Sequence, residues 1–146
     1  MKLKQLSVFL ENKPGALSTP VKLLAEAGIN ILTLSMAEAQ QYGILRLIVR
    51  EWETAKKLLA KNDLLVKTTD VLAIEVSDRP GGLAEVLAAL EKAGVNVEYM
   101  YAFTLRRESR ALLVFRFDDP DKAVGVLQKN KINIVGSVEL FKRHEG

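Results

Sequence analysis

The sequence predicts an α+β fold built from two tandem βαββαβ units. Three observations carry that prediction: a pair of motifs that recurs in one register, strand and helix periodicities that alternate in the same order in both halves, and Pro-Gly turns where each half's first strand would end. Asn12-Lys13-Pro14-Gly15-Ala16-Leu17 is echoed by Asp78-Arg79-Pro80-Gly81-Gly82-Leu83, and Ala27-Gly28-Ile29-Asn30-Ile31 by Ala93-Gly94-Val95-Asn96-Val97. The interval from Gly15 to Gly81 equals that from Asn30 to Asn96, so both motifs share one register. Leu59-Ala60-Lys61-Asn62 matches Leu127-Gln128-Lys129-Asn130 at a slightly longer interval, which places a short insertion between the third strand and second helix of the second copy. The expected domains are 1–69 and 70–146.

The first strand, residues 3–10, is read from Leu6, Val8 and Leu10 alternating up to the Asn-Lys-Pro-Gly turn. A helix follows, with Leu17, Val21, Leu24 and Ala25 at helical spacing and Gly28 as a left-handed stop. Pro20 lacks the N–H that a helix interior requires, so the start of this helix is expected to be irregular. Residues 29–38 and 43–49 form a hairpin around Ala39-Gln40-Gln41-Tyr42, residues 52–61 a second helix, and residues 64–69 a last strand. The second copy reads as strand 71–77, helix 82–93, strands 95–105 and 110–117, helix 120–129 and strand 133–141. In it, Asp119 is the expected cap and Pro120 the first residue of the last helix. Two right-handed crossovers in this order give an antiparallel four-stranded sheet with helices on one face, the ferredoxin-like sandwich. No Gly or Pro separates Val66 from Val76, so the last strand of one copy should pass almost directly into the first strand of the next.

With 146 residues, 49% of them hydrophobic, the chain can bury a core, and with no cysteine it has neither disulfides nor thiolate metal sites. No apolar run approaches the roughly 20 residues of a membrane span, so a protein of the cytoplasm without membrane association is expected. The net charge of +3 comes from basic residues dispersed among acidic ones, which argues against nucleic acid as a partner. Neither a Walker loop nor a dinucleotide fingerprint is present. His144, the single histidine, is expected in a mobile tail rather than in a catalytic site. No catalytic activity, cofactor or metal is expected.

The two Asn/Asp-x-Pro-Gly-x-Leu motifs, each followed by a helix and then Gly-Ile-Asn-Ile or Gly-Val-Asn-Val, resemble the ACT domain family over essentially the whole chain, twice. That resemblance implies small regulatory modules that commonly bind amino acids, often at an interface between two ACT units, and that pair side by side. It therefore implies an amino acid or related ligand, a homodimer, and a regulated enzyme as a further partner.

The residues support the same reading chemically. Gly15 and Gly81 let a ligand approach the backbone at the opening of a helix, and free N–H groups with the positive end of the helix dipole suit a carboxylate there. Asn12 and Asp78 can accept hydrogen bonds from an α-ammonium, and Asp78 adds a full charge. Asn30 and Asn96 are expected near the same corner, as ligand or loop-fixing residues by analogy with the family. The expected site is thus Asn12, Pro14, Gly15, Ala16, Leu17 and Asn30 in the first copy. In the second it is Asp78, Arg79, Pro80, Gly81, Gly82, Leu83 and Asn96, where Gly82 in place of Ala16 would offer a ligand more room.

Two other readings remain open. Pro-Gly serves chain reversal whether or not a ligand binds, and Asn12 or Asp78 could simply cap a helix, leaving a dimerisation or interaction module without a ligand. Both faces of the second strands carry apolar groups: Val97, Tyr99, Tyr101 and Phe103 against Met100 and Ala102, and Leu32, Leu34 and Met36 against Ile31, Thr33 and Ser35. One face must cover the helices, so the other is available to a second subunit or to the neighbouring domain.

Overall fold

The computed structural model describes residues 1–107 and 109–145, with the backbone alone described at 105–107 and 145. The chain forms two compact units, Lys4–Thr69 and a second made of Asp70–Gly146 together with Met1–Leu3.

In the first unit, β1 (Leu3–Glu11), α1 (Ser18–Glu26), β2 (Ile31–Ala39), β3 (Tyr42–Val49), α2 (Trp52–Lys61) and the start of β4 (Leu65–Ser77) follow one another in the order βαββαβ. The strands lie in the order β2-β3-β1-β4. Antiparallel pairing sets Leu6 opposite Leu47 and Leu34 opposite Leu47 on the other side, and alternation turns Leu6, Val8, Leu10, Leu45, Leu47 and Val49 toward Leu24, Ala55 and Leu59 of the helices. Pro20 is the third residue of α1, within the first turn, where its missing N–H would have had no intrahelical partner. It is buried there, so the irregularity expected of it is confined to the turn before the helix.

β4 is one continuous strand of 13 residues whose later part, from Asp70, opens the second unit. There follow α3 (Gly82–Lys92), β5 (Val97–Arg107), β6 (Arg110–Phe117), α4 (Pro120–Lys129), β7 (Ile134–Val135) and α5 (Ser137–Glu145). The strand order is β7-β4-β6-β5, and Leu72, Ile74, Val76, Phe115 and Phe117 face Val86, Leu90, Ala123 and Leu127 of α3 and α4. Asp119 caps α4 by accepting the Lys122 backbone N–H at 3.1 Å, with Pro120 opening the helix.

The expected strand 133–141 is corrected. It is cut to two residues, and a helix replaces the rest. Gly136 accepts the Leu140 N–H at 2.9 Å as that helix opens. Glu139 in its first turn and Lys142, Arg143 and His144 in its last complement the helix dipole, a polarity that a strand would not reward. Ile74 and Val76 face α3 and α4, so Glu75 between them points to the other side of the sheet. There its carboxylate pairs with Arg143, which also holds Glu139 at 2.6 Å. In the second unit α5 therefore packs on the sheet face opposite α3 and α4, one of the faces expected to be available to a second subunit or the neighbouring domain. His144, expected in a mobile tail, packs its ring 5.8 Å from that of Phe103, and its Nδ1 lies 2.9 Å from the Leu140 carbonyl oxygen. A register shift between Val97 and Tyr99 also takes Val97 out of the aromatic stripe and into the core beneath the helices.

Burial alone would raise the Glu75 carboxyl, but hydrogen bonds from Arg143 and Asn133 and the charges of Arg143 and Arg110 hold it below its ordinary value of 4.5. A depressed carboxyl contributes stability that is present above the unfolded value and lost as pH falls through the folded one. Amide exchange in α5 should accordingly be slow, for its intrinsic rate, at pH 6 and lose protection below about pH 4.5. Glu75→Gln should abolish most of that dependence; protection of α5 that is equal at pH 6 and pH 3 would refute this account of its docking.

Candidate functional site

The two Pro-Gly turns are copies of each other in their hydrogen bonds. At the end of β1 the Asn12 N–H donates to the Gln41 carbonyl at 3.1 Å, and at the end of the β4 strand the Asp78 N–H donates to that of Ser109 at 2.8 Å. Lys13 N–H then bonds to Glu11 O and Arg79 N–H to Ser77 O, both at 3.0 Å. One step on, Ala16 N–H bonds to Lys13 O at 3.3 Å and Gly82 N–H to Arg79 O at 3.0 Å. Gly15 and Gly81 have φ of 85° and 88°, the left-handed region that favours glycine, and their carbonyls accept from Thr19 and Glu85 as the helices begin. The turn thus aims each helix N-terminus outward at the same end of its own sheet.

The N-cap positions of α1 and α3 are Leu17 and Gly81, neither of which has a side chain that can accept a hydrogen bond. The Asn12 amide donates to the Gln40 carbonyl at 3.1 Å, tying the turn to the β2–β3 hairpin. Asn12, Pro14, Gly15, Leu17, Asp78, Arg79, Pro80, Gly81 and Leu83 are all exposed, with Leu17 and Leu83 at 41% and 36%, while Ala16 packs against the core. Arg79 is held across the turn, Nη2 to Glu85 at 2.7 Å and Nη1 to the Pro80 carbonyl at 3.3 Å. Each turn therefore presents a positive helix end, an acceptor side chain and an exposed leucine.

Two expectations about these residues are corrected. Gly82 does not make room for a ligand. A Cβ there would stand 1.9 Å from the Ser77 carbonyl oxygen, so the glycine lets the helix start press against the end of β4. This is also why α3 begins at Gly82, whereas α1, with Ala16 at that position, begins two residues later at Ser18. Nor do the asparagines share a corner with the turns. Ile31 pairs with Val49 and Ala39 with Tyr42, which itself faces Glu11. Asn30 and Asn12 are therefore separated by the length of nine-residue β2, about 26 Å at the usual rise per residue. Val97 pairs with Phe117 while Ser77 pairs with Arg110, so Asn96 and Asp78 are likewise at opposite ends.

Asn96 instead lines an open cleft of about 450 Å³ at the end of α3, together with Leu87, Leu90, Glu91, Gly94, Val95 and Val97. Its backbone is fixed by Asp118, whose Oδ1 accepts the Asn96 N–H at 3.0 Å and whose N–H donates to the Asn96 carbonyl at 3.2 Å. Among the described residues no group of three or more His, Asp or Glu side chains could hold a metal ion, and no helix is long and apolar enough to cross a membrane.

Comparison with known proteins agrees with this fold. A crystallographically solved protein of Bacteroides thetaiotaomicron is 41% identical and superimposes with a TM-score of 0.90 over 97% of each chain. The ligand-free regulatory subunit of aspartate kinase from Thermus thermophilus has the same fold at 15% identity, with a TM-score of 0.61 over 86% of this chain and 91% of that one. The acetolactate synthase small subunit of Buchnera aphidicola subsp. Baizongia pistaciae is 31% identical over 88 residues, which are 60% of this chain. The match spans about half of that relative, 55% of its length. The family model described as an ACT domain pair matches residues 1–143. With its two βαββαβ units and paired Pro-Gly turns, the chain belongs to the ACT domain pair family.

Proposed function

We propose that this chain is a cytoplasmic regulatory protein without catalytic activity of its own, which binds an amino acid or a related small molecule at its Pro-Gly turns and acts as a homodimer on a partner enzyme. The observation that carries the reading is the duplicated turn, with Gly15 and Gly81 in left-handed conformation where each helix opens. A helix N-terminus favours a carboxylate, and Asn12 or Asp78 offers an acceptor to the ammonium of the same ligand. An enzyme as partner is supported by the relatives named as the acetolactate synthase small subunit and the aspartate kinase regulatory subunit.

The separation of Asn12 from Asn30 bears on the dimer. A free amino acid is far shorter than β2, so one ligand can touch both residues only if they come from two copies of the chain. A ligand held in that way would shift the population of dimer arrangements only to the extent that it binds one of them more tightly.

Thermal unfolding against the common amino acids tests the reading. A ligand at 100 times its Kd should stabilise the native state by about 2.7 kcal/mol, an upward shift in Tm of roughly 5–10 °C. Asp78→Ala or Asn12→Ala should reduce the shift, according to which turn binds. Both side chains are exposed, so both variants should fold. A specific observation favours a second reading, an interaction module without ligand: the Asn12 amide is already engaged by Gln40, and Leu34 and Met36 on edge strand β2 are each 45% exposed. A flat screen on a confirmed dimer would support that reading and reject the first.

A further inference from the structure

The cleft at the end of α3 combines an apolar floor with two opposite charges. Leu87, Leu90, Val95 and Val97 belong to or pack against the core of the second unit and form its apolar lining, and Glu91 stands on its wall. Lys122, from the first turn of α4, brings its Nζ to 4.0 Å from where a Cβ on Gly94 would begin, so an ammonium reaches the rim. Among the described residues neither the Glu91 carboxylate nor the Lys122 ammonium is neutralised by an ion pair. The volume of about 450 Å³ lies in the ordinary range for small-molecule sites and exceeds that of a single amino acid.

The first repeat supplies an internal comparison. It keeps the glycine and the asparagine of this corner, as Gly28 and Asn30, but carries Ala25 in the register of Glu91 and Thr54 in the register of Lys122. Both charges are therefore peculiar to the second copy. They are not needed for the shared fold, because the first unit builds the same corner without them.

We infer that this cleft is a binding site for a free amino acid with an aliphatic or thioether side chain. Glu91 receives the α-ammonium, Lys122 the carboxylate, and the half-buried Leu87 and Val97, above the buried Leu90 and Val95, receive the side chain. Asn96, its backbone clamped by Asp118, lines the same cleft. The inference shares with the proposed function the premise that the ligand is an amino acid, but it places a ligand at the opposite end of the sheet from the Pro80-Gly81 turn.

The test is a titration of the full-length ¹⁵N-labelled protein, followed by amide NMR. The probes are L-leucine and L-methionine, with L-aspartate, 4-methylpentanoate (no ammonium) and isopentylamine (no carboxylate) as comparisons. Leucine or methionine should move the amides of Gly94, Asn96 and Val97, while the three comparisons should not. Glu91→Gln and Lys122→Gln, both at exposed helical positions, should each weaken the binding by about tenfold. Shifts confined to Gly81–Leu83 would overturn this site and leave the amino-acid reading standing; no shift with any amino acid would overturn both. Cleft shifts of unchanged affinity in both variants would overturn the roles given to the two charges.

Discussion

Phe115→Ala is expected to destabilise the second unit by about 4 kcal/mol, the cost of removing a fully buried aromatic ring from a core that cannot close around the void. Phe115 stands between Leu72 on β4 and Met100 on β5 in the register of the sheet, and its ring lies 5.5 Å from that of Phe117, with the planes 2° apart. Truncation therefore forfeits contacts on both sides as well as the ring pair. Urea unfolding followed by far-UV circular dichroism measures the loss. Trp52 fluorescence does not suit this purpose, because the single tryptophan stands in the first unit. Phe115→Leu should cost much less, since most of the volume is retained. A loss under about 1 kcal/mol for the alanine variant would show that the site collapses around the change.

Gly82→Ala should cost about 3 kcal/mol, although it adds a single methyl group at a position where alanine is the better helix former. The methyl carbon would stand 1.9 Å from the Ser77 carbonyl oxygen and 2.9 Å from its carbon, and these are backbone atoms at the end of β4 that no rotamer change can move aside. Relief requires the N-terminal turn of α3 to lift from the strand, which would also displace the Gly81 turn and with it the proposed ligand contact. Gly125→Ala provides the control: nothing lies within 4 Å of its added carbon, and it stands inside α4. That variant should gain about 0.5–1 kcal/mol from helix propensity alone. Equal effects of the two substitutions would refute the close approach at Ser77.

The same glycine illustrates how far the candidate site is legible in the chain. The Pro-Gly turns, their equivalence and the helices they open follow from residue types at fixed spacing, because left-handed backbone and chain reversal are local demands that few residues meet. What Gly82 is for is not local. It depends on where the Ser77 carbonyl, five residues earlier, comes to rest, so the missing side chain serves close packing rather than ligand space. The distance of Asn30 and Asn96 from the turns is not local either, because a helix carries the chain the full length of the sheet before β2 or β5 begins.

The repeat, the order βαββαβ, the bounds of α2, β6 and α4, the Asp119 cap and the tolerance of Pro20 were all decided by the amino-acid sequence, since each rests on periodicity, a turn residue or a cap acting within a few positions. Tertiary structure alone decided three other matters. Residues 137–145 became a helix because Leu140, Arg143 and His144 meet the far face of the sheet at Glu75 and Phe103. Asn12 was tied to the β2–β3 hairpin because its backbone N–H reaches the Gln41 carbonyl and its amide the Gln40 carbonyl. Lys122 came beside Gly94, at the rim of the cleft that Glu91 lines, because α3 ends near where α4 begins. In each case the deciding partner is distant in sequence, and long-range pairing of that kind leaves no period or spacing to read in one chain.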